Sequence, residues 1–159
     1  MMKPDSIIQA ITVDDDIAKI SILEVPDRPG IAFKLFSAIS NSDIRIESIV
    51  QNVNRSGIND ITFTVPLDEV KDALFITKAF AKEVGAADVI YDEDVARLSV
   101  VGSAVVANSD IASKFFKALY EKGVNIQMIT TSEVKISCVI EKSIAKEALK
   151  QIYKEFEVL

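Results

Sequence analysis

A chain that repeats itself must fold as copies of one supersecondary unit, and this chain repeats at a spacing of about 80 residues. Ile31-Ala32-Phe33-Lys34-Leu35-Phe36-Ser37-Ala38-Ile39 aligns with Ile111-Ala112-Ser113-Lys114-Phe115-Phe116-Lys117-Ala118-Leu119. In the same register, Ile44-Arg45-Ile46-Glu47-Ser48-Ile49 aligns with Val124-Asn125-Ile126-Gln127-Met128-Ile129. Lys19-Ile20-Ser21-Ile22-Leu23 also matches Arg97-Leu98-Ser99-Val100-Val101, two residues out of step, so the second copy has a longer loop before its first helix. Three matches in one order point to duplication.

Within the first copy, Ala18–Leu23 alternates as a strand. After Pro29-Gly30, Ile31, Leu35, Phe36 and Ile39 fall at helical spacing, and Asn41-Ser42-Asp43 stops the helix. Ile44–Val53 and Ile61–Val65 read as strands around a turn at 54–59 containing Gly57. Leu67–Val84 is helical, with Val70, Ala73, Leu74 and Phe80 on one side, and Ala87–Tyr91 is a last short strand. This β-α-β-β-α-β order is the ferredoxin-like split unit, an α+β fold. The second copy runs through strand 96–102, helix 109–122, strands 124–131 and 134–140 and helix 143–156, then lacks a fourth strand. Ser6–Val13, an apolar strand belonging to no copy, is expected to complete it. The first repeat, 17–92, is then an insertion within the second, 6–13 plus 96–157.

Composition closes off several functions. Among 159 residues there is no histidine, which removes the usual general base and the commonest metal ligand. The single cysteine, Cys138, excludes an internal disulfide and a cysteine-cluster zinc site, and it suits a reducing, cytoplasmic compartment. A formal charge of −6 disfavours nucleic acid and anionic membrane as partners. No stretch of apolar residues is long enough for a membrane span. No Gly-x-x-x-x-Gly-Lys segment exists to cradle a nucleotide. Neither a catalytic residue nor a metal site is expected.

The candidate for chemistry is the segment Val25-Pro26-Asp27-Arg28-Pro29-Gly30, which leads into a helix N-terminus. Such a terminus presents free N–H donors and a positive dipole end to an anion. Asp27 beside it supplies a counter-charge for an ammonium, so the pair is complementary to a free α-amino acid. An ordinary Pro/Gly turn with Asp27 as a cap-like residue fits the same letters. Gln51-Asn52 interrupts an apolar strand that faces this loop, either as a further contact or as strand-edge solvation. Asn125 in the second copy is similar. Asp14-Asp15-Asp16 and Asp92-Glu93-Asp94 lack calcium-loop spacing and read as solvated linkers. Cys138 alternates with Ile136 and Ile140 and is expected in the core, as are Phe33, Phe36, Phe115 and Phe116 on their helices.

These residues resemble ACT domains, small regulatory modules that bind amino acids. Ile49-Val50-Gln51-Asn52-Val53 followed by Asn59-Asp60-Ile61-Thr62-Phe63-Thr64-Val65 is similar to the first ACT repeat of the aspartate kinase family. Leu98-Ser99-Val100-Val101-Gly102 and Val124-Asn125-Ile126-Gln127-Met128-Ile129-Thr130-Thr131-Ser132-Glu133-Val134 are similar to the second. The resemblance covers residues 6 to 156. It implies two ferredoxin-like ACT repeats that sense lysine and/or threonine and feed back on an aspartate kinase catalytic domain or subunit. No Lys-Phe-Gly-Gly-Thr segment of that kinase domain occurs here, so it implies a free regulatory subunit or an excised regulatory fragment, inactive alone. Effector contacts carry over to Asp27, Pro29, Gly30, Ile31, Ala32 and Gln51, with Asn125 and Ile126 facing them from a second repeat, in a homodimer. Thr62, Ser132 and Glu133 carry over as a second site or as coupling residues. Ala107-Asn108-Ser109-Asp110 stands where the family often has Pro-Gly in the second loop, which leaves a second effector site there in doubt.

Two other functions compete with this one. A stand-alone ACT-type sensor could act on another partner. A small acyl-phosphate hydrolase on the same fold would need an Arg and an Asn at a phosphate loop; Arg28 is present, but Asp27 beside it repels phosphate and no activated nucleophile follows.

Overall fold

The computed structural model describes residues 8–53, 56–103, 105 and 107–156. Along the chain run β1 (Ile8–Pro26), α1 (Ile31–Ser40), β2 (Ser48–Val53), β3 (Ile58–Pro66) and α2 (Val70–Val84). They are followed by β4 (Asp88–Gly102), α3 (Ser109–Glu121), β5 (Met128–Ser132), β6 (Lys135–Glu141) and α4 (Ala145–Glu155). Two compact units result, Asp16–Glu93 and Met1–Asp15 with Asp94–Leu159, and β1 and β4 each contribute to both. Both units are ferredoxin-like, and the fold is α+β.

In the unit of residues 16–93 the strands lie in the order β2-β3-β1-β4. β1 and β3 are antiparallel with Ile20 opposite Phe63 and Ile22 opposite Ile61. One face of this sheet is apolar because strand side chains alternate: Ala18, Ile20, Ile22, Ile61, Phe63 and Val65 all point into one core. Ile31, Leu35 and Ile39 of α1 sit four residues apart and close that core together with Val70, Ala73, Phe80 and Val84 of α2. On the opposite face Ser21 meets Thr62, Oγ to Oγ1, at 2.8 Å.

The other unit orders its strands β4-β6-β5, with the first residues of β1 beside β4. Leu98, Val100, Ile136, Cys138 and Ile140 form its apolar face, covered by Ile111, Phe115 and Leu119 of α3 and by Ala148 and Ile152 of α4. Ile8 and Ile11 pack against this core, and the Tyr153 hydroxyl donates to the Ile11 carbonyl at 3.3 Å. Residues 8–13 of the expected N-terminal strand thus complete the second repeat, while Ser6 and Ile7 lie outside the described residues. Ser99 and Ser137 pair at 2.7 Å, in the place that Ser21 and Thr62 hold in the first repeat.

Several sequence expectations need correction. Asp14-Asp15-Asp16 and Asp92-Glu93-Asp94 are strand residues of β1 and β4, not linkers. They have partners: the guanidinium of Arg97, itself almost buried, donates to Asp14 at 3.0 Å, and Asp16, Asp92 and Asp94 are engaged as well. β2 starts at Ser48 and β5 at Met128, so Ile44–Glu47 and Val124–Gln127 approach their strands as irregular segments. Leu67–Glu69 and Lys142–Ile144 are single 3₁₀ turns ahead of α2 and α4. Phe33 is 76% exposed, because it lies off the Ile31–Leu35–Ile39 stripe. Phe36 and Phe116 are half-buried, and Phe115 is fully buried.

Cys138 is buried as expected, and loss of hydration pushes its thiol up to about 12 from an ordinary 9.0, opposed weakly by a hydrogen bond to the Leu98 backbone. Below about pH 9 the thiol is protonated in both folded and unfolded chains and has no effect on pH dependence. Between about pH 9 and 12 the unfolded chain releases a proton that the folded chain keeps, so this group lowers stability by up to about 1.4 kcal/mol per pH unit. Chemical denaturation at pH 8 and pH 10.5 should therefore show a smaller alkaline loss in Cys138→Ala than in the unaltered protein. Equal losses would show that the thiol does not titrate across this window.

Candidate functional site

The site loop begins with a defect in β1. Ile22 pairs with Ile61 but Val25 pairs with Asn59, so β1 carries one residue more than β3 across this stretch. Alternation alone would turn Glu24 inward; the extra residue brings Val25 into the core instead. Glu24 accommodates the bulge at a φ of 55°, and its N–H is held by the Asp60 carboxylate at 2.9 Å. The chain then leaves the sheet through Pro26, and the Asp27 N–H bonds the Gly57 carbonyl of the β2–β3 turn at 2.9 Å. Pro26 and Pro29 restrict the loop at both ends.

Gly30 is the residue before α1, at a φ of 90° that an L side chain rarely adopts, and no side chain caps the helix. Asp27 is therefore no cap; its carboxylate is exposed and has no ion-pair partner among the described residues. The Ile31 N–H reaches back to the Arg28 carbonyl at a long 3.4 Å, and the N–H groups of Ala32 and Phe33 find no acceptor among the described residues. These are the orphan donors of a helix start, at the positive end of its dipole.

A cavity of about 280 Å³ opens at this place. Asp27, Gly30, Ile31, Ala32 and Gln51, all singled out from the sequence, line it. Val25 and Pro26, part of the segment singled out but given no contact role, line it too; the sequence reading omitted Phe33, Asn59 and Ile61 as site residues and weighed Arg28 only as a phosphate ligand. Asn59 is 3% exposed in β3, and its signal was a polar residue just ahead of an apolar alternation. Phe33 had no such signal, since an aromatic residue on a helix is ordinarily core.

Pro29 shapes the loop but does not line the cavity, and neither do Asn125 and Ile126, which lie in the segment before β5 of the other unit. Thr62 turns to Ser21 on the opposite face of the sheet. Ser132 ends β5, and its hydroxyl accepts from the Val134 N–H at 3.4 Å across a tight turn that contains the exposed Glu133.

The second repeat starts its helix differently. Asn108 caps α3 in extended conformation, its side-chain oxygen accepting from the Asp110 N–H at 3.0 Å. The Ile111 and Ala112 N–H groups reach the Asn108 carbonyl at 3.2 and 3.5 Å. The donors that α1 leaves open are thus occupied in α3 by the chain itself. Among the described residues no group of three or more acids or cysteines is placed to hold a metal ion, and no helix is long and apolar enough to cross a membrane.

Comparison with known proteins places these features in context. Two ACT-domain family profiles match, one over residues 19–85 and one over 98–156. The chain is 41% identical over 152 residues to an aspartate kinase of Pseudomonas fluorescens and 35% identical to an aspartokinase of Helicobacter pylori. Each alignment takes 96% of this chain and 37% of that protein, so the chain spans little more than a third of these curated relatives. The ligand-free regulatory subunit of aspartate kinase from Thermus thermophilus superposes with a TM-score of 0.89 at 34% identity, over 94% of this chain and 98% of that one. A crystal structure of aspartokinase alpha and beta subunits has a chain matching with a TM-score of 0.86 at 35% identity, 99% of it covered.

Proposed function

This chain belongs to the ACT-domain family as a regulatory portion of aspartate kinase, and from that premise we propose that it binds lysine and/or threonine in the cavity at Gly30 and regulates a kinase partner by feedback. The observation that supports this most directly is the uncapped start of α1 beside Asp27, a carboxylate with no ion-pair partner among the described residues, within one small cavity. The effector carboxylate takes the N–H groups of Ala32 and Phe33, its ammonium takes Asp27, and Gln51 and Asn59 orient the head group. α3 offers no equivalent, because Asn108 already occupies its donors, so one effector site per chain follows.

Among the described residues that line the cavity, Asp27 is the single acid and Arg28 the single base. A second ammonium, as on lysine, would go unmatched there, whereas the compact hydroxyl side chain of threonine leaves no charge stranded. Asn125 and Ile126 serve the site from a facing repeat of a second copy, in a homodimer, and Thr62, Ser132 and Glu133 carry the response onward. The regulated partner is the catalytic domain or subunit of aspartate kinase.

Calorimetric titration with threonine, lysine, methionine and aspartate tests the binding, and sedimentation with and without the best binder tests the assembly. Threonine is expected to bind most tightly and to strengthen the dimer, since a ligand held by two chains stabilises their association. No heat with any of the four amino acids would overturn the effector assignment. A monomer at high concentration, unchanged by saturating ligand, would overturn the shared site.

A further inference from the structure

Arg28 occupies an unusual position for a guanidinium. It lines the cavity, is exposed, and sits next to Asp27 in the chain, yet it forms no ion pair among the described residues. Its hydrogen bond runs instead from Nη2 to the carbonyl of Val84, at 3.4 Å. Val84 is the last residue of α2, where carbonyls lack intrahelical donors and the dipole end is negative. Gly85 follows in the left-handed conformation, and the N–H groups of Gly85 and Ala86 both turn back to the Ala81 carbonyl, which leaves Val84 to Arg28. The contact is a long bond to a neutral acceptor, the weakest kind of partner a guanidinium keeps.

We propose that Arg28 recognises the effector's carboxylate, and that it reaches it by exchanging the Val84 carbonyl for that carboxylate. The proposal rests on the assignment of the cavity as an amino-acid site. A carboxylate at the open N–H groups of α1 lies in the cavity that Arg28 also lines, and a charged, two-oxygen acceptor matches the guanidinium fork where a lone carbonyl does not. The cavity then holds both poles of a zwitterion with side chains of one loop, Asp27 for the ammonium and Arg28 for the carboxylate. The same exchange withdraws the donor from the end of α2, so occupation of the cavity is felt at the last turn of that helix.

The test compares L-threonine with L-threonine amide, which keeps the ammonium and side chain but lacks the carboxylate, on the full chain and on Arg28→Met and Arg28→Lys. The ratio of the two affinities should fall about tenfold or more in Arg28→Met, the order of effect of losing one charge-assisted contact, with Arg28→Lys between. Amide hydrogen exchange supplies a second readout. Threonine should speed exchange at Val84, Gly85 and Ala86 in the unaltered chain; in Arg28→Met these amides should exchange fast without ligand and ignore it. An undiminished affinity ratio, or exchange at these amides that threonine leaves unchanged in the unaltered chain, overturns the role of Arg28. Absence of threonine binding in the unaltered chain overturns the amino-acid site itself, which is a separate result.

Discussion

Asp27→Ala is expected to weaken effector binding by about 30-fold or more while leaving the melting temperature almost unchanged. The ammonium of a bound amino acid gives up water on entering the cavity, and Asp27 is the one carboxylate among the described residues that line it. Removing one partner of such a pair costs about 2–5 kcal/mol, most of it the stranded charge. At about 1.4 kcal/mol per tenfold, the lower part of that range already gives the stated loss. The fold has little to lose, because the Asp27 carboxylate is exposed and caps nothing, while its backbone N–H to Gly57 survives the change. A mere turn residue would behave in the opposite way, with a small loss of stability and full affinity. Calorimetry and one melting curve separate the two, and unchanged affinity would remove Asp27 from the site.

Phe115→Ala should cost about 3–5 kcal/mol of folding stability, enough to bring a domain of ordinary stability close to unfolding. Phe115 is fully buried at the centre of α3, among Ile111, Leu119 and the β4 and β6 side chains. Its ring stands 5.3 Å from that of Phe116 at a tilt of 50°, an arrangement that adds to simple burial. Leu35 holds the same place in the first repeat, is equally buried, and should cost about 2–5 kcal/mol when cut to alanine. Urea denaturation measures both. A loss below about 1 kcal/mol for Phe115→Ala would mean that the site collapses around the deletion and that this packing is not what holds the unit together.

Much of the architecture was legible in the letters because its causes are local. The 80-residue repeat, the order of elements and the buried stripes of α1 and α3 follow from side-chain periodicity, which records the face an element buries. The position of the loop was legible too: Pro26, Pro29 and Gly30 mark a constrained entry to a helix, and Asp27 and Gln51 stood out as polar residues beside it. Phe33 was not, since it reads locally as an ordinary core aromatic, and Asn59 passed for a turn residue although it stands just ahead of an apolar alternation.

What the sequence determined by itself, then, is that two like units form and that the first helix of each begins after a loop of different chemistry. Which acidic residues belong to strands was decided only in three dimensions: Asp14 of β1 is the counter-charge of the buried Arg97, 83 residues away. The same holds for the cavity. Its walls come from β1, α1, β2 and β3, and whether α1 or α3 presents open donors depends on a left-handed Gly30 in one loop and a side-chain oxygen of Asn108 in the other. Periodicity fixes which way a side chain faces within its own element; the partner it meets there is set by the packing of other elements, and local pattern carries no record of that.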